Sequence, residues 1–165
     1  MRYKIVPPVR DREFLATAHR AVPLVPGSVE DCCIRLVDET AAPSRDVARE
    51  YLTFLQALEL VAETDRGFRR RRVEVDEADL ADAFERRVFG ATELLDALRE
   101  AGSLTVDESF DRLRGAVPRW ERDRHTDWAD EWRERTERLL DWSVAFDLAT
   151  RDGDRYRVSD QTQNE

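Results

Sequence analysis

Four consecutive arginines, Arg69-Arg70-Arg71-Arg72, follow Arg66 in a chain whose 27 basic residues include a single lysine, Lys4. Guanidinium groups are planar, permanently charged and forked, which suits phosphate oxygens and narrow minor grooves. Upstream, Arg45, Arg49, Thr53 and Gln56 recur at helical spacing, so a helix places them on one face. Those residue types bond phosphates or base edges in a major groove. Together the nine residues read as a surface for duplex DNA. The competing reading is a solvated hairpin whose arginines pair with nearby acids such as Glu63, Asp65 and Glu74.

Other candidate chemistry is thin. Cys32 and Cys33 are adjacent on an expected helix, where neighbours rarely pair, and two thiols alone do not make a zinc site. They read as small apolar core residues, and the lack of further cysteine fits a reducing compartment. His19 and His125 are isolated and read as structural or solvent-exposed. No Gly-rich phosphate loop, nucleophile elbow, HExxH or CxxC motif is present. The expectation is a protein that is not an enzyme, with no cofactor and no metal.

The four tryptophans, Trp120, Trp128, Trp132 and Trp142, lie close together in sequence. They read either as core or, for Trp120, Trp128 and Trp132, as an exposed interface, since aromatic anchors concentrate in interfaces. Trp120, between Arg119 and Glu121, is the one most suited to exposure.

Several elements must position these residues. Asp11 can cap a helix over residues 12–22, Ser28 one over 29–39, and Ser44 one over 45–60. A hairpin follows: Leu60–Thr64, a turn at Asp65-Arg66-Gly67, then Phe68–Val75. Tyr3–Val6 reads as a short strand. Further helices are expected over 77–88, 93–101, 107–113 and 127–146, and a second hairpin turns at Asp152-Gly153. The last helix carries Glu131–Arg135 and Glu134–Arg138, i,i+4 pairs of the favourable orientation. Its outer face reads as salt-bridged and solvated.

Net charge is −9 and 38% of residues are charged. Acid excess with almost no lysine resembles proteins of salt-loving archaea, where charge keeps the chain soluble. At about 1 M salt the Debye length is only ~3 Å, so the acidity neither demands a basic ligand nor excludes nucleic acid. No window approaches a membrane span, and the N-terminus lacks a signal-peptide core, so the expectation is a cytoplasmic protein without a membrane partner.

The chain reads as one pattern written twice. Leu15-Ala16-Thr17-Ala18 is echoed by Leu80-Ala81-Asp82-Ala83 at an offset of 65, and Val29, Asp31, Cys32 and Cys33 by Leu94, Asp96, Ala97 and Leu98. Phe54, Ala57, Leu58 and Leu60 meet Trp142, Ala145, Phe146 and Leu148 at an offset of 88. That predicts units over 1–75 and 76–165, with 88 − 65 = 23 extra residues in the second, near 107–128. The fold class expected is mainly α with small β-hairpins, as tandem units packed together.

The run Phe54-Leu55-Gln56-Ala57-Leu58-Glu59-Leu60-Val61-Ala62-Glu63 followed by a Gly-turn hairpin resembles archaeal winged-helix proteins, over about residues 28–75 and more loosely 91–158. No Gly or Pro interrupts Ser44–Leu60, which reads as a helix-turn-helix whose second and third helices are fused or whose turn is degenerate. The resemblance implies duplex DNA binding, often as a dimer, and transcriptional regulation. The basic first hairpin and the salt-bridged second long helix add the expectation that the first unit contacts DNA and the second mediates assembly, as a homodimer or with a protein partner. The alternative is a protein-interaction adaptor or scaffold of tandem winged helices, held to its partner around Trp120.

Overall fold

Asp11, Ser28 and Ser44 each close a helix by accepting a backbone N–H from three residues downstream, at Phe14, Asp31 and Val47. These caps satisfy donors that a helix start leaves orphaned. They open α1 (Arg12–Ala21), α2 (Val29–Glu39) and α3 (Arg45–Ala57). The computed structural model describes residues 3–124 and 126–159. His125 lies outside the described residues.

The chain divides into two compact units, Met1–Val88 and Phe89–Glu165. In the first, α1, α2 and α3 bury Leu15, Ala18, Cys32, Leu36, Ala48, Phe54 and Leu55 almost completely. Phe14 and Tyr51 pack ring to ring at 4.8 Å, and the Tyr51 hydroxyl donates to the Pro8 carbonyl. A hairpin of β1 (Val61–Thr64) and β2 (Gly67–Arg70) follows α3. β2 is central, because Gly27 pairs with Phe68 on its other edge through two backbone hydrogen bonds. A Cβ on Gly67 would stand 2.2 Å from the Gly27 oxygen, and Gly67 has φ +125°, so only glycine fits there. Next, α4 (Glu77–Arg87) packs on α3, with Phe84 edge-on to Phe54 at 6.3 Å. Tyr3 forms only a single parallel bridge, to Val88, where a short strand is expected.

The second unit runs α5 (Ala91–Ala101), β3 (Leu104–Thr105), α6 (Val106–Leu113), a 3-10 turn at Arg114–Ala116, α7 (Arg119–Arg124), α8 (Trp128–Ala145), β4 (Ala149–Asp152) and β5 (Arg155–Val158). Thr105 and Glu108 form a reciprocal capping box at the start of α6. The sheet order is β3-β5-β4, again with the second hairpin strand in the centre. Phe110, Val117 and Trp132 form a buried cluster against which Phe89, Trp128 and Ala129 pack.

Each unit therefore runs helix, edge strand, helix, long helix, hairpin, the winged-helix order. The correspondence differs from the offset-65 reading. Ser28 caps α2 and Thr105 caps α6, 77 positions apart, while Gly27 and Leu104 take the same edge position in their sheets. By topology α1 matches α5 and α2 matches α6, and α4 is an addition to the first unit. The division falls after Val88, not after residue 75. The insertion shrinks to 88 − 77 = 11 residues, between α6 and α8. The offset of 88 holds across both C-terminal halves: Leu60 N–H donates to Leu55 and Leu148 N–H to Ser143, with Glu59 and Asp147 both left-handed.

A turn between the second and third helices does exist in the first unit. It is Thr40–Ser44, between α2 and α3, and contains Pro43. Reading Ser44–Leu60 as two fused helices places both partners on α3, whereas α2 is the second helix. The strand after the turn is also shorter than expected: β2 ends at Arg70, and Arg71–Val75 leave the sheet.

Candidate nucleic-acid interface

The α3 stripe forms as its spacing requires. Arg45 and Arg49 are exposed, and Thr53 and Gln56 are partly exposed toward the C-terminal end. The Thr53 hydroxyl donates to the Arg49 carbonyl at 3.1 Å, a bond within the helix that anything it touches would have to share. Arg45 has one carboxylate in reach, Glu30 at 3.6 Å, and both side chains are mostly solvated. Such a pair is worth at most about 1 kcal/mol and leaves Arg45 able to turn to another anion. Both arginines act on Cys33 below them; burial raises that thiol's pKa and the two cations oppose the rise.

The hairpin arginines separate into distinct roles. Arg66 is exposed at the tip and Arg69 on the solvent side of β2. Arg70 is half-buried, and its Nε is enclosed without a hydrogen-bond partner. Arg71 is committed to the fold: its guanidinium donates to the Glu59 carbonyl at 2.7 Å and its N–H to the Leu60 carbonyl at 3.0 Å. Its own carbonyl accepts from His19 Nε2 at 2.8 Å. Burial and neighbouring Arg70 and Arg20 lower the His19 pKa against the opposing pull of that hydrogen bond. A neutral His19 thus fixes the exit of the hairpin to α1. Arg72 is exposed beyond the strand.

Arg71 consequently faces the body of the unit, not a ligand at the hairpin surface, because leaving would break its bonds with the end of α3. For the rest, the competing reading of pairing within the hairpin is not met. Among the described residues, Arg49, Arg66, Arg69, Arg70 and Arg72 make no ion pair, and Glu63, Asp65 and Glu74 take no arginine.

The second unit contrasts with this. On α8, Glu131–Arg135 at 2.8 Å and Glu134–Arg138 at 3.1 Å both form, as their spacing predicts. Arg133 bonds Asp107 at 2.6 Å, Arg155 reaches Glu108 and Arg112 reaches Glu100. Tyr156 is buried and donates to Asp141, and burial first, then that bond, raise its pKa strongly. The cations here are largely neutralised by neighbouring carboxylates.

The tryptophans also divide. Trp132 and Trp142 are fully buried, and Trp142 stacks on Phe146. Trp132 is core and cannot belong to an interface without unfolding its unit, because it fills the space between α6 and α8. Trp128 is half-buried against Phe110, with Arg114 and Arg122 over its ring. Trp120 alone of the four is exposed, at 53%.

No group of three or more His, Cys, Asp or Glu side chains placed to hold a metal ion occurs among the described residues. Nor, among them, is any helix long and apolar enough to cross a membrane. The family model described as "halobacterial double winged helix domain" matches residues 1–163. Comparison with curated proteins finds no match, and comparison with solved structures finds none either.

Proposed function

We propose, for a chain that belongs to the halobacterial double winged helix domain family, that the first unit binds duplex DNA and that the protein acts as a cytoplasmic transcriptional regulator. Winged-helix domains are typically non-enzymatic, and the reading needs no cofactor. α3 is the helix offered to the major groove, through Arg45, Arg49, Thr53 and Gln56. The hairpin is the wing, offering Arg66, Arg69 and Arg72 to phosphates, with Arg70 behind them.

The observation that carries this reading is that, among the described residues, Arg49, Arg66, Arg69, Arg70 and Arg72 have no carboxylate partner. In a chain with 36 acidic residues against 27 basic ones, an unneutralised cationic edge stands apart from its surroundings. Phosphates supply what those arginines lack. On α8 the equivalent positions are Arg133, which bonds Asp107, Glu137, Asp141, which accepts from Tyr156, and Val144, a less cationic face that suits the second unit to assembly as a homodimer or with a protein partner.

Fluorescently labelled genomic fragments titrated with protein over a range of KCl concentrations test it. R66A/R69A should weaken binding on every fragment and flatten its salt dependence, the slope falling by about one for each phosphate no longer neutralised. Gln56→Ala should change the preference among fragments. Absence of binding across the whole salt range overturns the proposal.

The exposure of Trp120 favours a second reading, an adaptor that holds a protein partner through the segment around α7. Capture from lysate that survives nuclease and is abolished in Trp120→Ala, with R66A/R69A unaffected, would select it.

A further inference from the structure

The first unit contains a cavity of ≈ 740 Å³ between α1 and the segment that leaves β2. Its apolar lining comes from Ala16, Leu24, Val73 and Val75, and its polar lining includes Arg20, Arg70, Arg72 and Glu74. The volume is that of a site for a small molecule. Leu24 and Val73 are each 40% exposed and offer apolar surface at its edge.

The charge in the cavity is one-sided. Arg70 and Arg72 have no ion pair, and Arg70 Nε is enclosed with no acceptor among the described residues. A buried donor without a partner is destabilising, and a ligand acceptor would relieve it. Among the described residues Arg20 has only a long approach to the Thr17 hydroxyl, 3.4 Å away. Glu74 is the single acid in the lining, and it is exposed. The opening is held in shape by the His19–Arg71 hydrogen bond, which joins α1 to the outgoing chain.

We propose that this cavity binds a small organic carboxylate with an apolar body, its carboxylate received by Arg70 and Arg72 and its body laid over Leu24, Val73 and Val75. An Arg fork matches a carboxylate in geometry as well as in charge. Arg70 is half-buried, so molar salt screens its contact less than that of a surface arginine. The proposal does not require DNA binding, although Arg70 and Arg72 belong to both surfaces.

Amide chemical shifts of the labelled full chain, followed in molar KCl during titration with sodium octanoate, test the site. Saturable shifts confined to residues 16–24 and 70–75 are expected, with 1-octanol and inorganic phosphate each several-fold weaker. Arg72→Met should weaken octanoate several-fold and leave octanol unchanged. Ala16→Phe, which places a ring in the recess from the α1 side and leaves every arginine in the sequence, should abolish the octanoate shifts while the rest of the spectrum is preserved. Equal binding of octanol overturns the anionic site, and equal binding of phosphate overturns the apolar one. Absence of saturable shifts, or unchanged binding by a folded A16F protein, overturns the proposal whatever the DNA titration shows.

Discussion

Glu59 and Asp147, 88 positions apart, hold the same left-handed backbone conformation, with φ of 66° and 60°. Each stands just after the long helix of its unit, where the chain reverses into the hairpin. A side chain in this conformation costs about 1 kcal/mol relative to glycine, less for Asp. The two are not equivalent in what they hold. Asp147 is exposed and no ion pair to it occurs among the described residues, whereas Glu59 faces Arg86 at 3.2 Å and Arg87 at 3.4 Å. Asp147→Gly should therefore raise the stability of the second unit by up to about 1 kcal/mol. Glu59→Gly should be neutral or destabilising, because the relief of strain is offset by removal of the carboxylate that holds the two α4 arginines. All four tryptophans lie in the second unit. Their fluorescence in a denaturant titration reports the first change, and first-unit amide signals report the other.

Gly67→Ala should be the most damaging single-methyl change in the first hairpin. It combines a positive φ with a Cβ placed 2.2 Å from the Gly27 oxygen, and backbone on both sides cannot yield. A loss of about 2 kcal/mol or more is expected from the conformational penalty and the broken pairing together. The amide of Phe68, which donates to Gly27, should lose its protection from hydrogen exchange while α4 and the second unit keep theirs.

The C-terminal half of each unit is legible in the sequence, and the N-terminal half misaligns for an identifiable reason. A Leu-Ala-x-Ala run marks the buried face of many amphipathic helices, so matching α1 to α4 carries little information. Ser28-Val29-Glu30-Asp31 and Thr105-Val106-Asp107-Glu108 share a cap, an apolar residue and two acids at an offset of 77, with Arg35-Leu36 and Arg112-Leu113 continuing the match. Caps carry stricter geometry than apolar faces, which makes that the better register. The stripe on α3 follows from spacing alone. The division of roles within Arg69–Arg72 does not, because it depends on where β2 ends and on a bond between His19 and a carbonyl 52 residues away. The cavity is invisible in the sequence for the same reason.

Those roles predict different results for Arg71 and Arg69, two positions apart. Arg71→Ala removes a hydrogen bond to the Glu59 carbonyl in a partly buried setting and should cost about 1–2 kcal/mol. Arg69→Ala removes an exposed side chain that makes no ion pair among the described residues, and should change stability by less than about 0.5 kcal/mol. Thermal unfolding followed by first-unit amide signals checks both. Equal losses would mean that Arg69 also is committed to the fold.

His19 should make the first unit sensitive to acid. Its pKa lies below the ordinary 6.5 mainly because burial disfavours the charged ring. The unfolded chain therefore takes up a proton at a higher pH than the folded one, and stability rises with pH across the interval between the two values. The contribution is complete above 6.5 and is lost as pH falls through the lowered folded value. Denaturation midpoints of the first unit should drop on acidification below 6.5, and His19→Gln should remove this component of the slope. A wild-type slope that persists unchanged in the variant would assign it to carboxylates instead.

Trp132 and Trp120 differ in a way that separates core from surface. Trp132 is buried among Phe110, Val117 and Phe89, with Phe89 edge-on at 5.6 Å and Arg135 over its ring. Truncation leaves a cavity between α6 and α8, and Trp132→Ala should cost the second unit about 3–5 kcal/mol. For a small domain that is a large share of the total stability. Trp120→Ala removes a half-exposed ring and should change stability by no more than about 1 kcal/mol. The remaining tryptophans report both variants by emission during denaturation. A large loss in Trp120→Ala would show that α7 is held by that ring, and would remove Trp120 from the candidates for a partner surface.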